Sequence, residues 1–154
     1  MSERRPGEER VGPLQLPAMV KVDSKGRVTI PQTVRDALGI SPGMYLVLIA
    51  DVDKREIVLS PIAANARNVV EINVEMEDRP GALAEVAKTL SDLNVDIIVS
   101  RCASIARGKA GTCTIIADTT RSNIEPEALK QKIEEVSVVR YVKVRRFSGP
   151  VVSL

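Results

Sequence analysis

Between Val69 and Phe147 the spacing of apolar residues switches twice from a period of two to one of three and four, which restricts the fold more than any other feature of the chain. Val70, Ile72, Val74 and Met76 alternate with Glu71, Asn73, Glu75 and Glu77, the pattern of a half-buried strand. Asp78-Arg79-Pro80-Gly81 reads as a turn. After it Leu83, Val86, Ala87, Leu90 and Leu93 recur at helical spacing, with Asn94 as a stop. Strands are expected over 95–106 and 112–117, around the turn Arg107-Gly108-Lys109-Ala110-Gly111. Ser122 or Asn123 is expected to cap a second helix carrying Leu129, Ile133 and Val136, and 138–147 reads as a last strand. The order βαββαβ is that of the ferredoxin-like split unit.

The block before it, 18–62, follows different rules. Residues 19–22 read as a short strand, Asp23, Ser24 and Gly26 as a tight turn, and Val28-Thr29-Ile30 as a β-branched strand. Pro31 suits a helix's first turn, Val34, Ala37 and Leu38 share one face of that helix, and Gly39 is its left-handed stop. Two further strands, 45–50 and 57–61, flank the polar turn 51–56. About 45 residues with so little helix cannot bury a sufficient core alone, and the strand Tyr45–Ala50 is apolar on both faces. Pairing with a second copy covers those faces and the sheet edges, so an obligate dimer is expected. Residues 1–17, charged and carrying Pro6, Pro13 and Pro17, read as a flexible arm, 63–68 as a linker and 148–154 as a loose tail.

Composition narrows the chemistry. The 154 residues contain no histidine, which excludes Ser-His-Asp and Cys-His catalysis and His-ligated metals. No carboxylates and lysines cluster as an acid–base pair, so no enzyme activity, cofactor or metal is expected. The two cysteines, Cys102 and Cys113, read as buried thiols rather than a disulfide or a site. No apolar run approaches the ~20 residues of a membrane helix, and the N-terminus lacks the apolar stretch of a secretory signal, so a cytoplasmic location with no membrane contact is expected. A net charge of +2, from 22 basic and 20 acidic residues, does not advertise nucleic-acid binding, so any DNA contact must come from local clustering. On charge alone Arg27 and Arg35 read as surface cations or ion-pair partners.

The string KVDSKGRVTIPQTVRDALGISPG changes that reading. Val22-Asp23, Gly26-Arg27-Val28-Thr29-Ile30-Pro31, Arg35, Leu38-Gly39-Ile40 and Pro42-Gly43 resemble the SpoVT-AbrB family of swapped-hairpin DNA-binding domains, which includes MazE-type antitoxins. The resemblance implies an interleaved β-barrel dimer and places the family's DNA-contacting arginines at Arg27 and Arg35, with Lys21 and Lys25 as neighbouring candidates. The chain departs from more basic members at Val20 and Asp36, where arginines are common. Within 18–62 the bases Lys21, Lys25, Arg27, Arg35, Lys54 and Arg55 stand against Asp23, Asp36, Asp51, Asp53 and Glu56, a net +1. Arg4, Arg5 and Arg10 are available as further phosphate contacts.

The string DRPGAL, followed by a helix and then NVDI, resembles the ACT domain family over 69–147. That family implies amino-acid binding between paired subunits, here at Asp78, Arg79, Pro80, Gly81, Ala82 and Leu83, with Asp96 on the following strand. The physical logic is direct: Gly81 admits close backbone approach, and the N–H groups opening the helix favour a carboxylate. Asp78 and Asp96 stand where serine-binding relatives carry asparagines; each accepts from an ammonium and repels a carboxylate. The alternative is that Asp78 and Arg79 only shape a turn and Asp96 is solvated.

The sequence thus predicts an α+β chain in two domains. The expected function is sequence-specific DNA binding and transcription regulation by a homodimer or higher homo-oligomer, with double-stranded DNA and a small-molecule effector, an amino acid, as partners. The alternatives are an antitoxin-like module that binds a protein, or a regulatory subunit of a biosynthetic enzyme, with the second domain serving only assembly.

Overall fold

The computed structural model describes residues 15–63 and 65–147. The expected tail and the arm up to residue 14 lie outside them; residues 15–17 are irregular and exposed. The elements are α1 (Gln32–Leu38), β1 (Leu46–Asp51), β2 (Glu56–Pro61), β3 (Val69–Met76), α2 (Ala82–Asp92), β4 (Asp96–Ala106), β5 (Ala110–Asp118), α3 (Pro126–Glu134) and β6 (Val139–Arg146). They fall into two compact units, 1–43 and 44–154. The division lies inside the block expected at 18–62, because the β1–β2 hairpin packs within the second unit, where Val47 is 2% exposed.

In the first unit the expected turn is present. The Asp23 carbonyl accepts from Gly26 N–H at 3.1 Å, and the Arg27 carbonyl accepts from Asp23 N–H at 2.9 Å. The strands expected at 19–22 and 28–30 are not strands: both stretches are irregular, and among the described residues no segment pairs with them. α1 follows Pro31 and ends at Gly39, whose φ of 65° is the left-handed stop that a glycine adopts without penalty. No residue of α1 is buried, and Leu38 is 53% exposed.

The second unit is built as its periodicity dictates. Its four-stranded antiparallel sheet has the order β4-β5-β3-β6, the ferredoxin-like arrangement, with β4 and β6 at the edges. β3 alternates strictly in burial, sending Val70, Ile72, Val74 and Met76 under the helices. There they meet Val86 and Leu90 of α2 and Leu129 and Ile133 of α3. Each large apolar side chain so buried contributes roughly 1.5–3 kcal/mol relative to exposure. α2 ends at Asp92 with Leu93 as its cap, and Asn94 takes a φ of 56°, as its stop signal predicts. α3 begins later than the expected cap at Ser122 or Asn123: Glu125 precedes it and Pro126 occupies its first turn, where a missing N–H costs nothing. Ser122 instead accepts from Ile124 N–H at 3.4 Å within the preceding turn.

The described residues of the segment expected as a linker form no helix or strand, yet its end is pinned. Arg67 and Asn68 N–H groups donate to the Thr120 hydroxyl at 2.8 and 3.1 Å, and the Asn68 carbonyl accepts from buried Thr119. Among the described residues no helix is long and apolar enough to cross a membrane.

Candidate functional site

The turn Asp78–Gly81 connects β3 to α2 at one end of the sheet. A crevice of about 270 Å³ opens there, just below the ~300–1,000 Å³ typical of ligand pockets. The turn and helix start supply Asp78, Arg79, Ala82 and Leu83 to its wall. β4 and β5 supply Cys102, Ser104, Thr112 and Cys113. Gly81 takes a φ of 86°, a conformation that a side chain would strain, and it lets the chain reverse into α2. Ala82 N–H is bonded to the Arg79 carbonyl at 3.2 Å. The N–H groups of Leu83 and Ala84 are those that helix geometry leaves without an intrahelical acceptor, and they mark the end of the crevice suited to an anion.

Asp78 acts as a clasp. Its Oδ2 accepts from Ser104 Oγ at 2.8 Å and from Gly108 N–H at 2.9 Å, tying the turn to the β4–β5 hairpin. The Gly108 N–H first, then the Ser104 hydroxyl, hold its carboxyl below the usual range. Because the folded value is depressed, the clasp's contribution is present above the unfolded value, near 3.8, and is lost as pH falls through the folded one. Asp78→Ala is therefore expected to raise hydrogen exchange at Gly108 by roughly an order of magnitude at neutral pH. The wild type should open in the same way only under acid conditions. Exchange normalised to unstructured rates checks this, and unchanged protection in the variant would discount the clasp.

Arg79 is neutralised locally: its Nε donates to Glu77 at 2.9 Å and a terminal nitrogen donates to Glu85 at 3.1 Å. Those two acceptors raise its pKa. Asp96 is not brought to the crevice within one chain. It opens β4 opposite Asp118, 3.7 Å from the Arg121 guanidinium, six residues or about 20 Å of strand from Cys102. Pro80 and Gly81 are exposed in the turn and do not line the crevice.

The structure corrects the reading of the cysteines. Cys102 and Cys113 are paired across β4 and β5 and joined by a disulfide, with Cα atoms 4.1 Å apart. Cys113 is 3% exposed, as expected, but Cys102 is exposed on the edge strand. The local sequence around them carried no information on cross-strand register.

Lys21, Lys25, Arg27 and Arg35 are all solvent-exposed in the first unit. Arg27 is held at its turn, its Nε donating to Asp23 Oδ2 at 2.8 Å. Asp23 also accepts from the backbone N–H groups of Arg27 and Lys25, both at 2.9 Å. Its carboxyl is kept below the usual range, chiefly by the Arg27 backbone N–H and then by the guanidinium. The turn thus fixes the root of Arg27, a pre-ordering that lowers the entropy lost when a guanidinium binds.

Fold and site together define an α+β protein with a small-molecule-sized crevice in a ferredoxin-like unit and exposed cations on an ordered turn in a separate one. Family models match both parts: residues 19–67 match the MazE family, described as antidote-toxin recognition, bacterial antitoxin, and residues 70–136 match the ACT domain. The chain thus carries a segment matching the MazE family, AbrB-like, followed by a segment matching the ACT domain. No curated protein matches it. Among solved structures, an unknown protein from Galdieria sulphuraria is similar at 15% identity and a TM-score of 0.46, covering 55% of this chain and 47% of its own. This chain therefore spans about half of that protein's length. The ACT domain of a GTP pyrophosphokinase from Chlorobium tepidum is similar at 18% identity and a TM-score of 0.42, over 51% of this chain and 97% of its own. The C-terminal domain of the MgtC protein from Mycobacterium tuberculosis is similar at 9% identity and a TM-score of 0.43, over 57% and 96%.

Proposed function

We infer that the chain is a transcription regulator. A dimer formed through 18–62 grips double-stranded DNA with Arg27, Arg35, Lys21 and Lys25. The second unit holds an amino acid or similar metabolite at 78–83. The observation that carries this reading is the division of labour: exposed cations sit on an ordered turn in a unit that buries nothing in α1, while the crevice lies wholly in the other unit. Lysines neutralise and position on phosphate, whereas an arginine fork also pairs with a guanine edge in the major groove. In the crevice the opening of α2 receives the ligand's carboxylate. Its ammonium faces the Asp78 carboxylate in the crevice wall, with Asp96 of a second copy as a further acceptor.

The test couples the two sites. DNA recovered by genomic selection is titrated with and without each of the twenty amino acids, and binding is followed in parallel by calorimetry. An effector that changes DNA affinity tenfold must see its own affinity changed tenfold by DNA, about 1.4 kcal/mol. A compound that binds and leaves DNA affinity unchanged sinks the regulator reading. Absence of binding by every compound sinks the ligand reading and leaves the ACT unit as an assembly module. The matched family's description favours one second reading, in which the N-terminal segment grips a toxin-like protein. Co-purification of such a protein, with no salt-dependent DNA binding, decides for it.

A further inference from the structure

The established matches assign no role to the disulfide, yet Cys102 and Cys113 both line the crevice beside the Asp78 clasp. We propose that this pair is a thiol–disulfide exchange site, reached through the crevice by low-molecular-weight thiols and their disulfides. Three observations carry it. The bond joins strands that a run of backbone pairings, Asp96↔Asp118 to Ala106↔Ala110, already holds together. It therefore closes a loop that the hairpin closes anyway and is dispensable to the fold. The two sulfurs have unequal access: Cys102 is exposed on an edge strand, and Cys113 is 3% exposed in the core. Finally, Ser104, two residues along β4 on the same face as Cys102, donates to Asp78, so displacement of β4 is transmitted to the 78–83 turn.

The chemistry is ordinary exchange. A small thiolate attacks Sγ of Cys102; the Cys102–Cys113 bond breaks, a mixed disulfide forms on Cys102, and the Cys113 thiolate leaves and is protonated. A second thiolate attacks the small molecule's sulfur of that mixed disulfide, releasing the small disulfide and the Cys102 thiol. Two small thiols are oxidised and one protein disulfide is reduced; a small disulfide as oxidant runs the steps backward. Reduction replaces a covalent bond by two thiols at van der Waals separation. With Cys113 packed against the core, Cys102 and β4 are the side that moves, into the crevice wall.

The inference rests neither on DNA binding nor on the identity of a ligand. Its test uses the full chain in glutathione buffers graded from fully oxidised to millimolar reduced, with the thiols trapped by alkylation and read by mass. The pair should pass reversibly between disulfide and dithiol, and exchange of the 78–83 amides should differ between the two forms. In Cys113→Ser, Cys102 should accumulate as a glutathione adduct. In Cys102→Ser, Cys113 should react about tenfold more slowly, since reactivity follows access. The wild-type titration needs neither variant to be stable. A pair that stays oxidised throughout, equal reactivity of the two cysteines, or identical 78–83 exchange in both forms each overturns the proposal.

Discussion

The double variant Arg27→Ala/Arg35→Ala is expected to lose nearly all specific DNA binding while keeping its fold. Both side chains are exposed and α1 buries nothing, so truncation removes no core contact. A dimer presents each arginine twice. Every phosphate contact contributes about 0.9 to the slope of log affinity against log salt, so loss of four lowers that slope by about 3–4. Where an arginine reads a base edge instead, roughly 1–3 kcal/mol of discrimination goes with it, and the slope falls less. Anisotropy titrations between about 50 and 200 mM salt separate the two cases. Asp23→Ala should have the smaller effect, because it releases the root of Arg27 without removing its charge. Unchanged affinity and slope in the double variant would move the DNA contact elsewhere.

The second large effect is expected on assembly. Met19 is fully exposed and Val22 is 62% exposed, while Val20, Val28 and Leu38 are exposed around them. Residues 19–22 belong to no strand among the described residues of one chain. Light scattering at micromolar concentration is expected to give twice the 16.7 kDa chain mass. The melting of the N-terminal block should rise with concentration, as for any unit whose folding requires association. Val20→Asp/Val22→Asp is the discriminating variant. Both positions are exposed in a single chain, so the change is harmless to a monomer. In an interface it buries two unpaired carboxylates per chain, at several kcal/mol each. A variant that remains dimeric, or a wild type that is a folded monomer, refutes the obligate dimer.

Much of the second unit was legible because its periods are long and clean: four alternating residues specify β3, and five at helical spacing specify α2. Terminators were legible where one residue type is demanded, as at Gly39 and Asn94. The misses share a cause. Residues 19–22 and 28–30 have strand-like chemistry, but a strand exists only where another chain segment pairs with it. The start of α3 was placed at hydroxyl and amide caps because those usually win; Pro126 sets it instead. The Cys102–Cys113 bond depends on hairpin register, and β4 carries irregularities between Ile97 and Val99 and between Ser104 and Ala106 that no local pattern announces. The expected turn 107–111 also overran the observed start of β5 at Ala110. In the crevice the DRPGAL half was readable from its turn chemistry. The opposite wall, Ser104 and Thr112 included, comes from strands distant in sequence, and Asp78 finds its partners there rather than in its own turn.

The two edges of the sheet are guarded differently. β6 carries Arg140, Lys143, Arg145 and Arg146, and even after Arg145 pairs with Glu71 and Arg146 with Glu125 it is a row of long cationic side chains. Another β6 approaching that edge brings the same charges against it, a common protection against runaway strand addition. β4 carries only Asp96 and Arg101 along its eleven residues and is otherwise small or apolar. Growth of the sheet by an added strand is therefore electrostatically closed on one side and open on the other. Strand addition through β4 would end at two copies, because such a pair presents only its two guarded flanks.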